Sequence, residues 1–143
     1  LFTILDITSP SMILSQAIGR LGNYVNQEGF GPPTNLPWGV FIEKTKRPIQ
    51  YLHSTHFHPT FFYEAIINVV IFFILLKISN RSKKRGEVFA FYLIFYGLSR
   101  FLVEFLRIDT AIVSGLKVAQ ILSVLSIIIG LIIIIKSRLL DTY

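Results

Sequence analysis

The chain contains no cysteine. That absence excludes a disulfide framework, a thiolate zinc site and a cysteine nucleophile. Charge is also scarce: Asp, Glu, Lys and Arg make up 15% of the 143 residues, where a soluble domain carries about a quarter. Apolar residues account for 52%. The length allows one domain, residues 1–143, and the apolar excess points to lipid rather than water around most of it. The formal net charge is +6, but the basic residues form no face suited to nucleic acid. Five of the fourteen lie between Lys77 and Arg85, wedged between two apolar runs. That is the pattern of a cytoplasmic loop.

Three stretches are apolar enough to span a bilayer, residues 61–76, 88–106 and 118–135. A spanning helix needs about 20 residues. The first reaches that length only with its amphipathic ends, the second carries charges, and the third is apolar from Ile127 to Ile135. Residues 1–18 form a weaker candidate because they hold Asp6, Pro10 and Gln16. They read as a polar-lined helix kinked at proline, or as the tail of a longer one. No basic region precedes an apolar core, so no signal peptide is expected. The expected fold is an all-α integral membrane protein with about four transmembrane helices.

Orientation follows from Lys and Arg in short loops. Lys77, Arg81, Lys83, Lys84 and Arg85 mark residues 77–87 as a cytoplasmic loop, and Lys136 and Arg138 put the other basic end on the same side. Residues 20–59 and 108–117 then face outward. Lys44, Lys46 and Arg47 depart from the rule locally. The long outer loop is punctuated by Gly19, Gly22, Gly29, Gly31 and Gly39 with Pro32, Pro33, Pro37, Pro48 and Pro59, residues that set turns. Its aromatics (Tyr24, Phe30, Trp38, Phe41, Tyr51, Phe57) argue for order, partly within the outer interface.

The second long span is the most informative. Tyr96, Arg100, Glu104 and Arg107 recur at spacings of four, four and three. On a helix they share an arc of roughly 80°. A polar stripe on an oily helix must face a protein interior or a wet cavity, since each intramembrane charge costs about 2.5 kcal/mol or more. Two readings stand. Arg100 and Glu104 neutralise each other and fix helix packing, or the stripe binds an anion. Arginine suits a phosphate because its planar fork binds oxygens bidentately and stays charged.

Other residues converge on the same layer. His58-Pro59-Thr60 and Tyr63-Glu64 open the preceding span. Pro59 fits a helix start, Glu64 can complement the helix dipole, and His58 reads equally as an interfacial residue. His53, His56 and His58 do not have the spacing of a helical metal pair, so no metal site is expected. Residues 19–31, Gly-Arg-Leu-Gly-Asn-Tyr-Val-Asn-Gln-Glu-Gly-Phe-Gly, read as a helix leaving the membrane into a glycine-permitted turn. Arg20 there either anchors the helix end by snorkelling or joins Asn23, Asn26 and Glu28 in a site. Glycines let backbone N–H groups approach an anion.

Those residues, followed by Leu36-Pro37-Trp38-Gly39-Val40, resemble the signature of bacterial prolipoprotein diacylglyceryl transferases. Two further blocks agree in order and spacing: His58-Pro59-Thr60 with Tyr63-Glu64, and Tyr96-Gly97 with Arg100, Glu104 and Arg107. Gly115-Leu116 and Gln120-Ile121-Leu122-Ser123 resemble the start of that family's last helix. The chain departs from the pattern at Gln27, where many members have Gly, and at Phe61, where many have Gln. The resemblance covers nearly the whole chain and implies the C-terminal part of a longer fold, whose N-terminal half carries more spans and a histidine thought important for catalysis.

It further implies an enzyme of the bacterial cytoplasmic membrane, multi-pass, with its site toward the outer leaflet. Such an enzyme moves the diacylglyceryl group of phosphatidylglycerol to the thiol of a lipobox cysteine in the signal peptide of a prolipoprotein. A thioether forms and glycerol phosphate leaves, with no cofactor. By resemblance Arg20 and Arg100 are catalytic, contacting the lipid phosphate and stabilising the leaving group. Asn23, Glu28, Gly31, Tyr96, Glu104 and Arg107 line or brace the substrate cavity. Two other functions remain open from the residues alone: a transporter or channel subunit using the Arg/Glu stripe as a path, and a non-catalytic membrane scaffold.

Overall fold

A computed structural model describes residues 1–82, 84–108, 110, 112–113 and 116–140. Lys83 of the basic loop and Gly115 of the last sequence block lie outside the described residues. Four helices carry the architecture: α1 (Phe2–Asn26), α2 (Thr60–Ser79), α3 (Glu87–Leu106) and α4 (Val118–Leu140). Among the described residues α2, α3 and α4 are long and apolar enough to cross a membrane. The 25-residue α1 is long enough, but Asp6, Gln16, Arg20 and its serines dilute its apolar surface. The protein is an all-α membrane protein with three such spans and a fourth, more polar helix.

Two boundaries differ from those expected. The outer loop does not begin at residue 20, because α1 continues through Gly19, Arg20 and Gly22 to Asn26. Buried Ile13 and Ala17 hold α1 against its neighbours, and that packing outweighs the about 1 kcal/mol that each interior glycine costs. The helix stops where Gln27 turns left-handed at φ 55°, ψ 51°. A left-handed backbone favours glycine, the residue type that the sequence resemblance leads one to expect there. Gln27 compensates with its side chain, whose Oε1 accepts from Glu43 N at 2.7 Å. At the other end α2 runs to Ser79 and α3 begins at Glu87, leaving residues 80–86 as the connection.

Asp6, awkward in an apolar segment, turns out to cap a different helix. Its Oδ2 accepts from Gly86 N at 2.6 Å and its Oδ1 from Phe89 N at 2.9 Å. These are donors at the start of α3, and no side chain of α3's own first turn caps them. Asp6→Ala is therefore expected to lower stability by about 1–2 kcal/mol, measured by denaturant unfolding in detergent, with Asp6→Asn recovering part of the loss.

The Lys44–Arg47 cluster also has structural work. Lys46 Nζ donates to Asn26 O at 2.8 Å, at the carbonyl end of α1. Arg47 donates to Ile42 O at 2.8 Å and Leu52 O at 3.1 Å. Cations at a helix C-terminus are favourable, so these charges offset their departure from the charge rule.

The core between α1, α2 and α3 is built from Ile13, Ile71, Leu75, Val88 and Tyr92. Helix α4 packs on α3, and glycines set the distance. A Cβ at Gly97 would stand 2.8 Å from Ser123 O, and one at Gly130 would stand 2.8 Å from Ala90 O. Small residues let membrane helices approach closely where no hydrophobic drive separates protein from lipid. Gly130→Leu is expected to force α4 off α3, read as loss of the folded form at a lower temperature than wild type.

The segment between α1 and α2 is ordered around a core of its own. Phe30, Ile42 and Phe57 are buried together, with the Phe30 and Phe57 rings edge to face at 5.1 Å. Strands β1 (Val40–Phe41) and β2 (His56–Phe57) pair antiparallel, Val40 opposite Phe57. Pro59 sits at the cap before α2 rather than in its first turn. A second short hairpin, β3 (Ile112–Val113) with β4 (Leu116–Lys117), joins α3 to α4.

Candidate functional site

The polar residues of three helices meet in one chain of alternating charge. Arg20 comes from α1, Glu64 from α2, and Arg100 and Glu104 from α3. Glu64 is 1% exposed. Its Oε1 pairs with Arg20 Nη2 and its Oε2 lies 3.3 Å from Arg100 Nη1. The other arm of Arg100 reaches Glu104 Oε2 at 2.7 Å. Glu104 is equally buried, while both arginine side chains keep some exposure. Two cations and two carboxylates balance, which is what makes four ionised groups tolerable at this depth.

The helical period explains half of this arrangement. Positions 100 and 104 are one turn apart on α3, as are 16 and 20 on α1 and 64 and 68 on α2. Each polar pair is turned toward the interior, and below the ion pairs lies a second polar layer. Gln16 Nε2 donates to Tyr92 Oη at 2.9 Å, and Tyr92 stacks on Tyr96 with ring centroids 6.0 Å apart and planes 4° from parallel. Asn68 is fully buried. Among the described residues its amide, Gln16 Oε1, Arg20 Nε and Glu104 Oε2 have no hydrogen-bond partner. Glu104 Oε2 nonetheless sits close to Arg100, so that contact is charge pairing without an aligned N–H. Buried polar groups are rarely left unpaired, and this concentration marks the layer as chemically unspent.

On the α4 side the network opens into a cavity of about 430 Å³. Tyr96, Arg100, Glu104, Arg107 and Thr110 form one wall, and Val118, Ala119, Leu122, Ser123 and Ser126 the other. The stripe read from the sequence thus faces a cavity, with one correction. Arg107 is not on the helix: α3 ends at Leu106, and Arg107 is extended at φ −78°, ψ 137°. It reaches the cavity from the first residue beyond the helix.

Gly29 explains how Asn23 enters. At φ +69° it adopts a conformation favouring glycine, and a Cβ there would stand 2.8 Å from Asn23 Nδ2 and 3.1 Å from Arg107 Nη2. The Asn23 amide and the Arg107 guanidinium therefore converge over a position that has room only for hydrogen. Gly31 is a packing point instead. Its N–H donates to His58 O at 2.8 Å, and a Cβ would meet Leu106 O at 2.9 Å. It braces the loop against the end of α3 and offers no amide to an anion, contrary to the expectation for these glycines. Glu28 is exposed, and its Oε1 accepts from Asn26 Nδ2 at 3.3 Å; it does not line the cavity.

Three further side chains take roles that their sequence positions do not announce. Glu64, read as a dipole partner, is the centre of the network. Lys117 donates from Nζ to Glu104 O and, at 2.9 Å, to Arg107 O. His58 lies apart from the cavity, its Nδ1 3.1 Å from Tyr63 Oη, which also accepts from Trp38 Nε1 at 3.0 Å.

Helices long enough to span a bilayer, crossed by a buried arginine–carboxylate network that opens on a cavity, define a membrane protein with an intramembrane polar site. Comparison with known proteins makes this specific. Residues 1–136 match the family model described as prolipoprotein diacylglyceryl transferase, and the chain belongs to that family. A relative from Acaryochloris marina, named phosphatidylglycerol–prolipoprotein diacylglyceryl transferase, is 44% identical over 128 residues, covering 88% of this chain and 47% of its own. Proteins of the same name from Thermotoga petrophila and Finegoldia magna are 44% and 42% identical, over 87% and 94% of this chain and 43% and 51% of theirs. The chain spans about half the length of the curated relatives it matches.

Proposed function

We propose that this chain supplies the phosphate-holding part of a phosphatidylglycerol–prolipoprotein diacylglyceryl transferase. The observation that carries the reading is the cavity between α3 and α4, into which Arg100 and Arg107 project beside Glu104. A phosphodiester is a delocalised anion with oxygens spaced for a guanidinium fork. Arg100 is held from two sides by Glu64 and Glu104, so it is oriented before any ligand arrives. Preorganised charge of this kind stabilises a leaving group without reorganising.

The reaction is a displacement at the glycerol carbon that bears the phosphate. The lipobox thiol sulfur bonds to that carbon, the carbon–oxygen bond to phosphate breaks, and the oxygen leaves with the electron pair as glycerol phosphate. The thiol proton is balanced by the new phosphate hydroxyl. Arg100 serves the charge developing on that oxygen, and Arg20, which is not among the lining residues, supports it by holding the Glu64 carboxylate that orients Arg100. Tyr96, Glu104 and Arg107 line the site, Asn23 and Gly31 brace its rim, and Glu28 lies outermost, where an incoming peptide would first meet it.

Placement in the membrane follows from charge. Ser137 Oγ donates to Arg85 O at 3.4 Å, so the end of α4 and the basic connection before α3 share one end of the molecule. That end, with Lys77, Arg81, Lys84, Arg85, Lys136 and Arg138, is cytoplasmic in this reading. The arginine network then opens toward the outer leaflet of the bacterial cytoplasmic membrane, where both the lipid and an exported prolipoprotein are available. The test is transfer of labelled diacylglyceryl from phosphatidylglycerol to a lipobox peptide by the chain in detergent. It is run alone and with the N-terminal half of a relative added as a second chain. Product in either reaction supports the reading; no product in both, from folded protein, contradicts it.

A further inference from the structure

Lys117 ends β4 one residue before α4 begins, and its side chain turns back to the helix before it. Nζ donates to the carbonyls of Glu104 and Arg107. Glu104 O belongs to the last turn of α3, whose carbonyls have no partner further along the helix. A cation there meets both the unpaired oxygens and the negative end of the helix dipole.

The two residues whose backbone it holds are two of the cavity's charged lining residues, Glu104 and Arg107. Arg107 lies just beyond the last turn of α3. Its backbone has left the helix, so the α3 hydrogen-bond ladder no longer fixes the direction of its side chain. On the opposite wall, Val118 and Ala119 follow Lys117 directly in the chain. One ammonium group therefore ties together both walls at the mouth of the cavity, while Lys117 itself is not among the lining residues.

We infer that Lys117 is a positioning residue for the anion site: by clamping the Glu104 and Arg107 carbonyls it aims the Arg107 guanidinium into the cavity and holds α4 across from it. The inference rests on the reading of this cavity as the seat of a lipid phosphate. It makes the affinity for an anionic headgroup depend on a residue that never touches the lipid.

The experiment uses the chain in detergent with short-chain phosphatidylglycerol, and diacylglycerol of equal chain length, which lacks the phosphate, as the comparison. Lys117→Met is expected to weaken phosphatidylglycerol binding about tenfold, the equivalent of about one charge-assisted hydrogen bond. Diacylglycerol binding should stay unchanged, and Lys117→Arg should restore most of the loss. The Nε–H resonance of Arg107 in arginine-labelled protein is read in the same samples. It is expected to shift and broaden in Lys117→Met while amides around Tyr92 keep their exchange protection. Wild-type affinity together with an unmoved Arg107 resonance in Lys117→Met overturns the inference. Should wild type itself fail to prefer phosphatidylglycerol, the anion-site reading falls. The Arg107 resonance then decides alone whether Lys117 positions that side chain.

Discussion

Glu64→Ala is expected to be among the most damaging single changes in the chain, costing about 3–5 kcal/mol of stability and abolishing transfer. Glu64 holds Arg20 from α1 and Arg100 from α3 with its two oxygens, and is itself almost fully buried. Its removal strands charge at membrane depth. Arg100 keeps Glu104, but Arg20 loses its carboxylate and already has a buried Nε without a hydrogen-bond partner. Unfolding in detergent measures the stability term. A double change, Arg20→Met with Glu64→Met, separates pairing from function. Removing both charges is expected to recover most of the stability, because buried pairs replaced by apolar residues of similar volume are often neutral. Transfer should stay absent.

Arg100→Ala is expected to reduce transfer by about 10²–10³-fold, the range seen when one preorganised donor to a developing oxyanion is removed. Arg100→Lys should rescue little. Arg100 sends one terminal nitrogen to Glu64 and the other to Glu104, and a single ammonium cannot span both while also facing a phosphate. Replacing Arg100 and Glu104 together by leucine tests the scaffold alternative. If the pair only fixed helix packing, the double variant would keep full activity. A folded protein with no transfer and no preference for phosphatidylglycerol is expected, measured on the same preparation.

Much of the fold is legible in the residues. The runs ending in Leu76, Leu106 and Ile135 are long, apolar and bounded by charge, and the helices follow them with ends a few residues off. The Tyr96–Arg100–Glu104 stripe also survives intact, because helical periodicity alone dictates which residues share a face. Periodicity does not say which helix that face meets. Glu64 lies 44 residues from Arg20 and 36 from Arg100, and nothing local distinguishes it from a dipole partner. Asp6 is similar: it bonds the N-cap Gly86, 80 residues later, so its chemistry is invisible until α1 and α3 are side by side. Arg107 fits the stripe in the sequence but not in space, since the helix stops one residue short of it. The chemistry of Lys117 does have a signal in the sequence. A lone lysine between an apolar hairpin and an apolar span needs a partner, and helix carbonyls are the nearest available.

The fully buried Asn68 shows where sequence and packing leave chemistry unexplained by each other. An amide in the middle of an apolar helix one turn from Glu64 weakens the span as a lipid-facing element. It is fully buried and has no hydrogen-bond partner among the described residues, whereas Gln16 in the polar layer pairs with Tyr92. The same layer keeps α1 in the bundle despite its dilute apolar surface.

The cavity between α3 and α4 is the proposed seat of the phosphate of phosphatidylglycerol, and cross-linking locates that phosphate. Phosphatidylglycerol carrying a photoreactive group beside the phosphate would be irradiated with the chain in bilayer discs, and the labelled residues located by mass spectrometry. Labels are expected on Tyr96, Leu122 and Ser126, suppressed by unlabelled phosphatidylglycerol but not by diacylglycerol, and absent in Arg100→Ala. Labels confined to the apolar groove of Leu21, Phe61 and Ile66, or equal suppression by both lipids, would contradict that placement.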